Sequence, residues 1–163
     1  MGFFFKQGNI TSKDNNTFAS LLVEVKRPAE LRLYEDESYQ LFSCAKQVKI
    51  VANTDLGAIR GLETLQQLLS VDDAGYYFPD VDISDAPRFP WRGLLLDITL
   101  HWMPMDVVKR TLDGMAAVKM NVLHLHLTED QMFGIESKVF PRLHEVGAEG
   151  NYYTQEDIKE VIT

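Results

Sequence analysis

A chain of 163 residues has room for one ordinary domain, or for a small domain and part of another, and its 45% hydrophobic and 25% charged content excludes a wholly disordered polymer. A net charge of −8 with no basic run argues against a nucleic-acid partner, because phosphate contacts require clustered Lys and Arg. No apolar run approaches the roughly 18 residues of a membrane-crossing helix, so no membrane partner is expected.

The start, Met1 to Lys6, is apolar but too short for the core of a signal peptide, and Lys6 stands where a myristoylation motif wants Ser or Thr. The compartment is therefore left open. Two glycosylation sequons, Asn9-Ile10-Thr11 and Asn15-Asn16-Thr17, matter only in a secreted eukaryotic protein. Residues 20–25, 38–44 and 47–52 read as strands. Tyr39, Leu41 and Ser43 fall on one side of the second, and Val48, Ile50 and Ala52 on one face of the third. The single cysteine, Cys44, can form no intrachain disulfide and is expected to be a small buried hydrophobe. A helix follows over 56–70, with Asp55 as N-cap and Ile59, Leu62, Leu65, Leu68 and Leu69 as its core face. Tyr77, Phe78 and Val81 lead into Asp85-Ala86-Pro87-Arg88-Phe89-Pro90, where two prolines forbid helix and central strand. The boundary falls there, giving a domain over 1–85 and another over 86–163.

The second half changes character. Residues 94–98 are an unbroken apolar run, the pattern of a strand buried on both faces. Pro104 and Asp106 open a helix with Val107, Leu112, Met115, Ala116 and Val118 on its apolar side. A second strand spans 121–127, followed by irregular chain through Pro141 and Gly147 to Gly150. Thr154 then caps a last helix, with Asp157 three residues on in a variant of the capping box. The class is α/β, and this order predicts parallel strands joined by a right-handed crossover. Two such strands cannot bury both of their own faces, so further chain or a homo-oligomer is expected to cover the exposed edge.

In parallel α/β folds functional groups gather at the carboxyl ends of strands. The first strand here ends in Asp97, then Leu100 and His101, and the second in Thr128, Glu129, Asp130 and Gln131. Asp97 reads either as a turn cap or as a site residue, and Glu129-Asp130 as a solvated loop or as part of the site. One carboxylate in such a place can stay ionised while another binds hydroxyls or orients a His. His124 and His126, two apart on a strand, face one way, with Leu123, Leu125 and Leu127 opposite. A metal would need a third and fourth ligand, and only His101, His144 and carboxylates are on offer. The pair is read instead as core or hydrogen-bonded histidines, with no metal and no cofactor.

Trp91-Arg92-Gly93-Leu94-Leu95-Leu96-Asp97 with His101-Trp102-Met103-Pro104 resembles the first barrel strand of family-20 β-N-acetylhexosaminidases. The stretch from Asn121 through His124-Leu125-His126-Leu127-Thr128-Glu129-Asp130-Gln131 resembles their second strand and acidic loop. Phe140-Pro141-Arg142-Leu143 and Tyr153-Thr154-Gln155-Glu156-Asp157-Ile158 continue the likeness. Gly57-Ala58 and the run from Gly61-Leu62-Glu63 to Leu68 are similar to the helix of the family's small leading domain. The resemblance covers roughly residues 20 to 163. It implies a small α+β leading domain, a sheet packed on a helix, followed by the first βαβα units of an incomplete (β/α)8 barrel.

The function it implies is removal of terminal N-acetylglucosamine or N-acetylgalactosamine from glycans. The substrate's own 2-acetamido oxygen attacks the anomeric carbon, and an Asp-Glu pair on a later strand assists. That pair is absent from these residues, so no catalytic residue is assigned within the chain and the chain alone is expected to be inactive. Substrate-binding or supporting roles fall to Asp97, His101, His126, Glu129 and Asp130, and the partner is a glycan ending in N-acetylhexosamine. Five positions depart: Leu100 where the family has a sugar-gripping Arg, Leu125 for Trp, Glu129 in Glu129-Asp130 where it has Asp-Asp, and Met132 and Gly134 for a small residue and Arg. Leu100 also favours a second reading, a non-catalytic carbohydrate-binding or assembly module derived from the family.

Overall fold

The computed structural model describes residues 20–44 and 47–162. The short apolar start and both sequons lie outside the described residues. The chain is a mixed α/β protein whose contacts divide it into two compact units, one holding the described residues up to 29 with 36–86, the other holding 30–35 with the described residues from 87 on.

Period-two alternation builds the first unit. Strands β1 (Leu21–Arg27), β2 (Tyr39–Cys44), β3 (Gln47–Thr54) and β6 (Val81–Asp85) form one sheet in the order β1-β3-β2-β6. β1 runs parallel to β3, and the other two pairings are antiparallel. Tyr39, Leu41 and Ser43 point inward from β2, as their alternation predicts, and Val48, Ile50 and Ala52 do so from β3. The same alternation turns Cys44 outward beside Phe42, so the thiol is exposed and the expected burial is corrected. A hairpin of β4 (Ser70–Asp72) and β5 (Gly75–Tyr77), with β6 after it, occupies a stretch the sequence reading left without strands.

Helix α1 (Asp55–Leu68) lies on the inward face of this sheet. Its N-cap is Thr54 rather than Asp55: Thr54 Oγ1 accepts the Gly57 N–H at 3.0 Å. Asp55, one residue too late for that role, accepts the N–H groups of Ala29 and Leu56 at 2.9 Å each. The buried residues are Gly57, Ala58, Arg60, Gly61 and Leu65, whereas Ile59 is 45% exposed. The helix has turned its glycines to the sheet, because a methyl group at Gly61 would lie 2.8 Å from Ile50 Cγ2 and 3.1 Å from Tyr39 Cδ2. Beside this contact Arg60 Nε meets Glu37 Oε2 at 2.6 Å, both side chains buried. A charged pair this far from water holds only if its hydrogen bonds are made.

The second unit contains β7 (Gly93–Asp97), α2 (Met105–Ala117), β8 (Val122–His126), a two-plus-two hairpin of β9 (Thr128–Glu129) and β10 (Met132–Phe133), α3 (Arg142–Gly147) and α4 (Gln155–Ile162). β7 and β8 pair in parallel, as their order in sequence predicts. Ile98, Val108 and Tyr153 are the centre of the unit's core, with Leu123 and Leu127 packed against them. The other face of the β7–β8 pair is open among the described residues. Leu95 is 51% exposed there, which corrects the expectation of burial on both faces. On α2 Val108 and Met115 are buried and Leu112 packs against the core, as expected for Leu112 and Met115, while Ala116 and Val118 are exposed. Short helix α3 stands where irregular chain was expected.

At the head of α4 the capping box forms as read. Asp157 Oδ2 accepts the Thr154 N–H at 2.8 Å, and Thr154 Oγ1 accepts the Asp157 N–H at 3.1 Å. The Thr154 hydroxyl is also the first cause holding the Asp157 carboxyl below its ordinary range. No helix among the described residues is long and apolar enough to cross a membrane.

Candidate functional site

Parallel pairing sets Leu95 opposite His124 and Asp97 opposite His126, so these four side chains share the face turned away from the second core. Strand β7 ends at Asp97 because its carboxylate folds the next residues into a turn. Asp97 Oδ1 accepts both the Thr99 N–H at 2.9 Å and the Thr99 hydroxyl at 2.6 Å. The second oxygen, Oδ2, faces His126 Nδ1 at 3.5 Å. Asp97 is thus a turn cap through one oxygen and a neighbour of His126 through the other.

His126 Nε2 lies 3.0 Å from the Thr128 carbonyl and 3.2 Å from Glu129 Oε1. Both neighbours are acceptors, so Nε2 carries a proton. The ring therefore stands between two carboxylates that come from the carboxyl ends of two adjacent strands. When its second nitrogen is also protonated it can donate toward both. The Thr99 hydroxyl is the main reason that the Asp97 carboxyl sits below the ordinary aspartate value. Desolvation opposes this, and the Thr99 N–H and the His126 ring add to the lowering.

Glu129 reaches His126 because the β9–β10 hairpin turns back at once, pairing Glu129 with Met132 and Thr128 with Phe133. Asp130 sits at the tip, exposed, and gives its N–H to Glu129 Oε2 at 3.3 Å. Behind the hairpin, Gly134 donates its N–H to the Leu127 carbonyl at 2.8 Å. A methyl group at that position would come within 2.5 Å of Ile98 Cδ1, so the Ile98 side chain would have to shift to admit one.

Of the five site residues read from sequence, Asp97, His126 and Glu129 come together, Asp130 adjoins them through its backbone, and His101 is exposed outside the cluster. His124 shares their face but is exposed rather than a core histidine. Leu100 is 87% exposed, an apolar side chain held out in water. Thr99 was not singled out by sequence reasoning. The signal for it was present, since Asp followed two residues later by Thr is an Asx-turn pattern. Among the described residues no group of three or more His, Cys, Asp and Glu is placed to hold a metal ion.

Comparison with known proteins bears directly on these elements. The family model described as "Glycosyl hydrolase family 20, catalytic domain" matches residues 89–163, and one described as "beta-acetyl hexosaminidase like" matches 5–68. A β-hexosaminidase alpha subunit of Bos taurus is 44% identical over 77% of this chain and 25% of its own length. A probable β-hexosaminidase of Drosophila melanogaster is 36% identical over 96% of this chain and 24% of its own. Among solved structures, a Flavobacterium johnsoniae chitobiase is similar with a TM-score of 0.91 and 50% identity, over 98% of this chain and 24% of that one. The chain thus spans about a quarter of the length of the relatives it matches. Two successive family matches, with likeness in sequence and in structure running through both compact units, lead to one conclusion: the chain belongs to glycosyl hydrolase family 20.

Proposed function

We propose that residues 1–85 are the small leading domain of a β-N-acetylhexosaminidase and that residues 86–163 are the first two strands and helices of its (β/α)8 catalytic domain. The whole enzyme removes terminal N-acetylglucosamine or N-acetylgalactosamine from glycans by substrate-assisted hydrolysis. The observation that carries this reading is the Asp97–His126–Glu129 cluster at the carboxyl ends of two parallel strands. In it, Asp97 is fixed by Thr99 and steadies His126, and His126 steadies Glu129. Glu129 and Asp130 are left to accept hydrogen bonds from sugar hydroxyls, with His101 at the margin. None of these is assigned the attack or the proton transfer to the leaving group. The 163 residues by themselves are therefore inactive.

One observation favours a second reading. Leu100 stands where an Arg would grip the sugar, and an apolar side chain cannot supply a forked, charged donor. A carbohydrate-binding or assembly module without turnover needs no such grip. The open β7–β8 face, with Leu95 half exposed, supports association of the chain with copies of itself.

The purified chain, offered a chromogenic N-acetylglucosaminide and then titrated with N-acetylglucosamine by NMR, separates these readings. We expect no turnover, with shifts confined to residues 97–101 and 126–131. Genuine turnover would mean that these residues assemble a complete site and would overturn the assignment. Shifts elsewhere would remove the cluster from sugar binding, and no shifts at all would leave assembly as the role.

A further inference from the structure

His144 lies on α3, 6% exposed, on the far side of sequence from the cluster around His126. Its ring packs against Tyr152 with centroids 4.5 Å apart, and its Nδ1 lies 3.2 Å from the Ser137 backbone nitrogen. A backbone N–H can only donate, so Nδ1 must hold a lone pair and the ring is neutral with its proton on Nε2. Protonating Nδ1 would set one N–H against another in a place where water cannot easily relieve them.

The segment so held is not idle. Ser137 Oγ accepts the Phe140 N–H at 3.1 Å, which shapes the turn leading into α3. Glu136, next to it, holds the head of α4: its Oε2 accepts the Gln155 N–H at 2.8 Å and its carbonyl accepts Gln155 Nε2 at 2.6 Å. The single bond from Ser137 to His144 therefore ties α3 to the turn that adjoins the α4 cap. Tyr152 is the titratable group in ring contact with His144. Lys138 on the turn, Arg142 and Glu145 on α3 and Glu149 beyond it are all exposed, and Glu136 is turned to Gln155. From β10 only Met132 and Phe133 are offered, and neither is charged. Nothing named here replaces Nδ1 as acceptor for Ser137 once the ring is charged.

We propose that His144 is a pH-responsive latch: neutral, it holds the 136–140 turn against α3, and protonated, it releases that turn. The device is separate from the sugar-binding reading of the cluster and stands without it. Hydrogen exchange at the Ser137 amide of the full chain tests it, with each rate divided by the intrinsic rate at the same pH. Protection at Ser137 is expected to be roughly tenfold lower at acid than at neutral pH, the size of one hydrogen bond's worth of stability. In H144N the amide oxygen stands in for Nδ1 but does not titrate, so protection there stays level. A level profile in the unaltered protein, or an equal acid fall in H144N, would overturn the latch. The ring nitrogen spectrum at neutral pH gives an answer that needs no variant. A lone pair on Nδ1 is expected, and a proton there ends the proposal.

Discussion

At the scale of single residues, Asp97 shows how one carboxylate can cap a turn and face a histidine together. Its Oδ1 is occupied by Thr99 and its Oδ2 by the neighbourhood of His126. The hydroxyl of Thr99 is the leading cause of its lowered titration, so T99V should return the Asp97 carboxyl toward the ordinary aspartate value, read by carboxyl-carbon NMR. Because the folded-state value is depressed, the stabilisation is present above the ordinary value and is lost as pH falls through the lowered one. In T99V that acid-side loss should shrink. An unchanged titration would mean that His126, not Thr99, governs the carboxylate. The pairing of Asp97 with His126 was legible in the sequence, since two parallel strands of known ends bring those ends together. The exposure of Cys44 was legible too, had the alternation of β2 been given more weight than the habits of lone cysteines.

Among elements, α1 meets the sheet with glycines as well as with its expected leucines: Leu65 is buried and Leu62 and Leu68 pack against the core, while Ile59 alone of that stripe is largely exposed. Burial falls on Gly57, Ala58, Gly61 and Leu65 because the backbone of the helix approaches closely there. A methyl group at Gly57 would meet the Ser38 carbonyl oxygen, which is main chain and has little freedom to move. G57A should therefore lower stability by about 1–3 kcal/mol even though Ala is the better helix former by about 1 kcal/mol. Urea denaturation measures the difference, and a stabilised variant would mean that helix and sheet can separate without cost. The β9–β10 hairpin was illegible. Its tip is Asp130-Gln131, without the Asn-Gly or Asp-Gly pair that marks such turns, so sequence alone left Glu129 in a loop. The capping box of α4, by contrast, was written in four consecutive residues and formed as written.

Taken whole, the molecule is acidic and keeps several large apolar side chains in water, among them Val139, Phe140 and Val146. Its charge of −8 opposes contact between copies at neutral pH, and that repulsion vanishes near the isoelectric point of about 4.9. Light scattering should report a mass above that of one chain at neutral pH, rising further as pH approaches 4.9. A single-chain mass throughout would remove the proposed self-association. The mixed α/β class and the parallel pairing were legible from the order of periodic segments. Which faces stay open was not, because an apolar run looks the same whether or not anything covers it, as Leu95 demonstrates.

The outward turn of Cys44 has a practical consequence. It is the chain's single cysteine and belongs to the first compact unit, while both tryptophans, Trp91 and Trp102, belong to the second. A thiol-reactive dye on Cys44 and the native indole fluorescence are therefore two reporters with no shared territory. Melting followed in both channels asks whether the two units lose structure as one body or in sequence, with no residue changed to make the question answerable.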